Sequence, residues 1–179
     1  MTEEPEQIRW SGKFITARTR GKWEYVTRAR GIRAAVIIAI DEADHVLLVE
    51  QFRVPLQRRC LELPAGLIGD DAGAEGEDPL AAAVRELEEE TGYRADRIES
   101  LGEFYSSPGM VSESFTLVRA HGLSQVGPGG GTEGEAITVH RVARAHLPQF
   151  VEMARARGLG IDVRLLMLLA PALLGGTTR

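Results

Sequence analysis

The chain has 179 residues, 44% of them hydrophobic, with 26 acidic and 21 basic side chains and a net charge of −5. That length fits one domain with room for a real core, and the acidic balance argues against a broad nucleic-acid footprint. The single cysteine, Cys60, excludes an intrachain disulfide and suits a reducing cytoplasm, the acidic start MTEEPEQ lacks the basic-then-apolar order of a signal peptide, and the longest apolar run, 165–174, is too short for a bilayer and holds Pro171.

In chain order, the runs IRWSGKFITART and KWEYVTRAR meet at Arg20-Gly21-Lys22, and the partial alternation of Trp23, Tyr25 and Arg28 predicts a β-hairpin within residues 8–30. Residues 32–40 form a near-continuous, β-branched apolar run, expected of a strand buried on both faces. A turn at 41–44 leads to a strand at 45–53, and a short strand follows at 60–63. Further strands are expected at 98–106, 114–120 and 136–142, with a flexible glycine-rich loop, SQVGPGGGTEG, at 124–134. Helices are expected at 146–157 and 162–173, with Gly158 and Gly160 between them. The histidines His45, His121, His140 and His146 show no zinc-ligand spacing and read as surface or packing residues.

One stretch stands out, GLIGDDAGAEGEDPLAAAVRELEEETGY, residues 66–93. Its second half is a helix with both ends written in: Asp78 as N-cap, Pro79 in the first position, Gly92 as the left-handed stop. Leu80, Val84, Leu87 and Thr91 make a stripe that should face a core. Glu86, Glu89 and Glu90 then fall on the opposite face, while Glu88 points elsewhere. Glu86 and Glu90 repel at i,i+4 and sit near the helix C-terminus, where the macrodipole disfavours anions. Arg85 can pair with Glu89. A divalent cation would turn this clash into a site, since clustered carboxylate oxygens suit Mg²⁺ or Mn²⁺; the plainer alternative is a solvated face with one salt bridge.

Residues 85–93, RELEEETGY, resemble the REUxEExGU end of the Nudix box, in which U is a bulky apolar residue. Glu77 sits at the upstream glutamate position, with seven residues between it and Arg85. Asp71 stands where the opening glycine would be; Gly66 looks like the true equivalent, so the loop 69–76 carries an insertion of about five residues. Other segments resemble the nucleotide-sugar branch of that family: EQFR at 50–53, LELPAG at 61–66, SPG at 107–109 followed by Glu113, and Glu133-Gly134-Glu135 before the last strand. Gly129-Gly130-Gly131 is also similar to GDP-mannose-type members.

The resemblance implies an α+β fold, an α/β/α sandwich around a mixed sheet, with an N-terminal β-hairpin region (1–30) exchanged between the subunits of a homodimer and a catalytic domain at 31–179. It implies metal-dependent cleavage of ADP-ribose or a related nucleoside diphosphate sugar, with two or three Mg²⁺ or Mn²⁺ ions per site. Glu86, Glu89, Glu90 and the Ala65 carbonyl would be ligands, and Arg85 would hold a glutamate in place. The general base would be Glu135, with Glu133 or the box residue Glu89 as alternatives. Arg53 would bind the diphosphate bidentately, and Glu113 would accept hydrogen bonds from sugar hydroxyls. Arg28 and Met110 would be further substrate-binding residues, and Trp23 and Tyr25 would stack on the base from the partner subunit or, alternatively, merely pack the hairpin. The resemblance implies neither a nucleic-acid nor a membrane partner. Alternatives of substrate are GDP-mannose, dinucleoside polyphosphates or oxidised nucleotides. A different class, a non-catalytic nucleotide sensor, would be favoured by a lost box carboxylate, and none is lost.

Overall fold

The computed structural model describes residues 4–29, 32–68, 78–132 and 134–174. The loop 69–76, Glu77 and Glu133 lie outside the described residues.

The chain begins with three strands, β1 (Gln7–Ser11), β2 (Ile15–Arg20) and β3 (Trp23–Arg28), in an antiparallel meander. The expected hairpin thus has a third strand. The first β-like run is cut by Gly12-Lys13-Phe14, where the Gly12 amide bonds back to the Ile15 carbonyl. This small sheet meets the rest of the chain where Val26 exchanges backbone hydrogen bonds with Met110 and Ser112.

The remaining strands form two four-stranded sheets. One orders β7 (Ala65–Ile68), β4 (Arg33–Ala39), β9 (Ser114–Gln125) and β8 (Tyr93–Tyr105); the other orders β10 (Thr138–Ala143), β5 (His45–Arg53), β6 (Arg58–Glu62) and β11 (Gly160–Ile161). Each sheet is mixed, with β4 parallel to β9 and β6 parallel to β11. The expected mixed sheet is therefore present as a pair.

Strand β4 explains the arrangement. Its run is apolar at consecutive positions, so both faces need cover. Ala35, Ile37 and Ala39 pack with Ala82, Ala83 and Leu87 of helix α1 (Pro79–Thr91). Val36 faces the other way, into a cluster with Leu48, Leu61, Leu63 and Leu117 that is closed by Leu147, Val151 and Ala154 of α2 (Leu147–Ala156) and Leu169 of α3 (Leu166–Leu174). The expected last helix starts as a 3₁₀ turn at Val163–Leu165, capped by Asp162. Leu165 and Leu169 are buried there, while Leu166 and Leu173 are exposed.

Helix α1 has the ends its sequence predicts. The Asp78 side chain accepts from the Leu80 amide, and Gly92 takes φ 73°. Its buried face differs from the expected stripe. Val84 is exposed, and Ala82, Ala83, Leu87, Glu90 and Thr91 are buried. The small alanines let the helix lie close on β4, which turns Val84 outward and carries Glu90 inward.

Candidate active site

The acidic helix does not present its glutamates to open solvent. Edge strand β7 runs alongside, and the Glu90 carboxylate accepts a hydrogen bond from the Ala65 amide at 2.9 Å. Glu86 lies so close to Gly66 that a Cβ there would stand 1.8 Å from the Glu86 carboxyl carbon. Only glycine leaves room for that approach. Gly66 thus lies directly against the helix carboxylate of Glu86. Arg85 Nη1 stands 2.8 Å from Glu86 Oε1 and 3.2 Å from Glu89 Oε2. Glu88 points away and pairs with Arg94 at the surface.

The charge balance here is unfavourable to anions. Burial, together with the Glu86 and Glu135 carboxylates, pushes Glu90 up to about 8, against the opposing pull of the Ala65 amide. Burial also raises Glu86, with Arg85 opposing it and Glu89 and Glu135 adding to the rise. Glu86, Glu90 and Glu135 therefore feel one another's charge across the site. Their oxygen donors and excess negative charge fit Mg²⁺ or Mn²⁺, and glycine at 66 lets the Glu86 carboxylate lie against strand β7. Among the described residues no three such side chains already converge on one ligating point, and Arg85 bridges Glu86 and Glu89.

The glycine-rich segment that reads as a flexible loop is pinned to the end of α1. The amides of Gly130 and Gly131 bond to the carbonyls of Glu90 and Glu89, and those of Val126 and Gly127 bond to Gly92. These are carbonyls a helix C-terminus leaves unpaired. A Cβ on Gly129 would stand 2.4 Å from the Thr91 carbonyl carbon, so the two backbones touch. Glu135 follows this segment. Its carboxylate accepts from the Thr132 amide and hydroxyl at 2.6 and 3.0 Å, and lies against Gly131.

Ala65, Gly66 and Leu67 also line a cavity of about 480 Å³. Three arginines line it, each held by a carboxylate. Arg53 donates from Nε and Nη2 to Glu62, both at 2.6 Å, and Glu62 is almost fully buried. Arg164 binds Asp162 with two bonds of 2.7 Å, reaches Glu62 at 3.5 Å and lies over the Phe115 ring. Arg28 meets Glu113 at 2.7 Å. Burial opposes the charge of Asp162, but Arg164 outweighs it and holds the carboxyl low; the Glu62 contact raises Arg53 further. Burial pushes the Cys60 thiol up to about 12, which leaves it inert.

The cavity therefore gathers Arg28, Arg53, Glu113 and Ala65 from the sequence-derived set. Glu62, Asp162 and Arg164 were not among them. Glu62 carries a signal in retrospect, a lone charge between Leu61 and Leu63 in a buried strand, which requires a partner. Arg164 carries none that points to the cavity, because Asp162 two residues earlier already supplies a local partner. Trp23 and Tyr25 line a separate hollow with Pro108 and Gly109, and exposed Met110 borders another beside Tyr25, so within one chain these three stand apart from the arginine cavity.

A sequence model described as the NUDIX domain matches residues 30–156. A methanol dehydrogenase activator of Bacillus methanolicus is 44% identical over 51% of this chain and 47% of its own. An ADP-ribose pyrophosphatase of Bacillus subtilis is 40% identical over 51% of this chain and 46% of its own. The chain thus spans about half the length of these two relatives. A crystal structure of an ADP compounds hydrolase superposes with a TM-score of 0.69 over 97% of this chain and 94% of the other at 24% identity, a likeness of fold. No helix among the described residues is long and apolar enough to cross a membrane.

Proposed function

The chain belongs to the NUDIX domain family, and from that premise we propose that it hydrolyses the pyrophosphate bond of ADP-ribose or a related nucleoside diphosphate sugar. The products are a nucleoside monophosphate and a sugar phosphate. The observation that carries this reading is the seam at Ala65-Gly66: buried Glu90 and half-buried Glu86 press against it, and an arginine-lined cavity opens beside it.

Glu86, Glu89, Glu90 and the Ala65 carbonyl would hold two or three Mg²⁺ or Mn²⁺ ions. Metal held there would supply charge neutralisation at the phosphate oxygens and a more acidic water. The residues of the chain do the rest. The Ala65 amide fixes the rotamer of Glu90, and Arg85 orients Glu86 and Glu89. Glu62 holds Arg53 by Nε and Nη2, so Nη1 is the edge left to a substrate phosphate. Glu113, steadied by Arg28, accepts from sugar hydroxyls. Glu135 takes the proton as water oxygen bonds to phosphorus and the bridging P–O bond breaks; Glu133 and Glu89 are the other candidates for this proton.

The reading includes a homodimer. Residues 1–30 of one protomer would bring Trp23 and Tyr25 to the base in the partner's cavity, leaving 31–179, with Met110 as a further substrate contact, as the catalytic unit. The compartment is the cytoplasm, which suits the free thiol of Cys60. The partner is the small-molecule substrate, with neither nucleic acid nor membrane involved. GDP-mannose, dinucleoside polyphosphates and oxidised nucleotides are the competing substrates, and Gly129-Gly130-Gly131 favours the first of them. The competing reading from another class is a Nudix module that senses a nucleotide without cleaving it; a lost box carboxylate would favour it, and Glu86, Glu89 and Glu90 are all present.

A substrate panel read by phosphate release after phosphatase treatment, with Mg²⁺ and with Mn²⁺, tests the proposal. ADP-ribose or another nucleoside diphosphate sugar should be the best substrate. Preference for a dinucleoside polyphosphate would move the chain to the competing class, and binding without turnover would favour the sensor.

A further inference from the structure

Arg59 lies outside the arginine cavity, on β6, and makes an unusual set of bonds. Its Nε donates to Glu50 Oε1 at 2.6 Å. Its Nη2 reaches the Glu50 carbonyl at 2.6 Å, the Thr138 hydroxyl at 3.1 Å and the Ala136 carbonyl at 3.3 Å. One planar guanidinium thus ties strand β5 to the first residues of β10. Glu50 is buried and is also met by His140 Nε2 at 3.0 Å and Arg157 at 3.4 Å, so its charge stays compensated without Arg59.

Ala136 is the residue after Glu135, and its φ is +49°. A side chain in that left-handed region is strained and persists only where the surroundings impose it. Arg59 grips the carbonyl of this residue. On its other side, the Glu135 turn is held by Thr132 and by the glycine segment bonded to α1, and the Ile137 amide bonds to Gly130. The turn is thus suspended between α1 and the Arg59 fork.

We propose that Arg59 is a positioning residue for Glu135, acting through the strained Ala136 carbonyl; this rests on the reading of Glu135 as the proton acceptor. A lysine cannot replace it, because one ammonium lacks the fixed fork that spans these oxygens. Misplacing an acid–base group by about 1 Å costs roughly a hundredfold in rate.

The test combines amide exchange with a double-mutant cycle on ADP-ribose. In Arg59→Gln, and in Arg59→Lys should the first not fold, amides of 134–138 should exchange about tenfold faster while those of α1 are unchanged. The kcat should fall about tenfold with KM nearly constant, and the same substitution in a Glu135→Gln background should change kcat less than about twofold. Unaltered exchange at 134–138 overturns the clamp. An equal loss in both backgrounds shows a merely structural role and overturns the action through Glu135. Wild-type protein that cleaves no nucleoside diphosphate sugar defeats the hydrolase reading and the catalytic purpose of Arg59 together; the exchange result then still decides the clamp.

Discussion

Metal-free protein should lose stability as pH rises, and Glu90→Gln should abolish most of that loss. Burial and the neighbouring carboxylates lift Glu90 from the ordinary value of 4.5 to about 8. The folded state therefore holds this proton more tightly than the unfolded chain. The stability linked to it is full below the unfolded value and drains away as pH climbs through 8. The whole loss is about 4–5 kcal/mol, of which about 2–3 kcal/mol falls between pH 6 and pH 8.5. Glu86 is shifted in the same direction and adds to the effect. Glutamine keeps the shape and the Ala65 contact but carries no titrating proton. The assay is urea denaturation of EDTA-treated wild type and variant at the two pH values and one fixed protein concentration. Wild type should weaken by about 2–3 kcal/mol more than the variant, and Mn²⁺ should restore the wild type alone. Parallel behaviour of the two proteins would refute the idea of a buried Glu90 carboxylate repelled by its neighbour Glu86.

Three further outcomes are expected. Gly66→Ala should force the flexible Glu86 side chain aside at little cost in stability, yet cut Mn²⁺ affinity about tenfold; titration calorimetry giving unchanged affinity would count against a site at this seam. Glu135→Gln should lower turnover strongly yet leave Mn²⁺ affinity nearly unchanged, and Glu133→Gln should do much less. If Glu133→Gln is the crippled one, the base lies two residues earlier; if neither is, Glu89 becomes the first candidate. Light scattering at micromolar concentration should give a dimer, and a monomer would remove the partner's Trp23 and Tyr25 from the site.

Much of this was legible in the chain. Asp78, Pro79 and Gly92 mark α1 because capping chemistry is local, and the unbroken apolar run of β4 signals cover on both faces for the same reason. Helical periodicity alone misplaces the buried face: it groups Val84 with Leu87, but Ala82 and Ala83 decide the approach to β4, and Glu90 is drawn in by the Ala65 amide. A glycine run reads as freedom, yet Gly129, Gly130 and Gly131 are what permits backbone to lie against the helix end. The ion pairs of Arg53 with Glu62 and of Arg59 with Glu50 join neighbouring strands across a hairpin, so only the register of β5 on β6 reveals them. Arg164 comes from more than a hundred residues further along the chain, and no local pattern connects it to that cavity.

Whether the chain is a carboxylate-dependent pyrophosphate hydrolase is decided by turnover of ADP-ribose with Mn²⁺ by wild type and by Glu90→Gln, each checked for intact folding. Wild type should yield AMP and a sugar phosphate, and the variant should lose roughly a hundredfold or more; near wild-type turnover by Glu90→Gln would refute the role of the helix carboxylates.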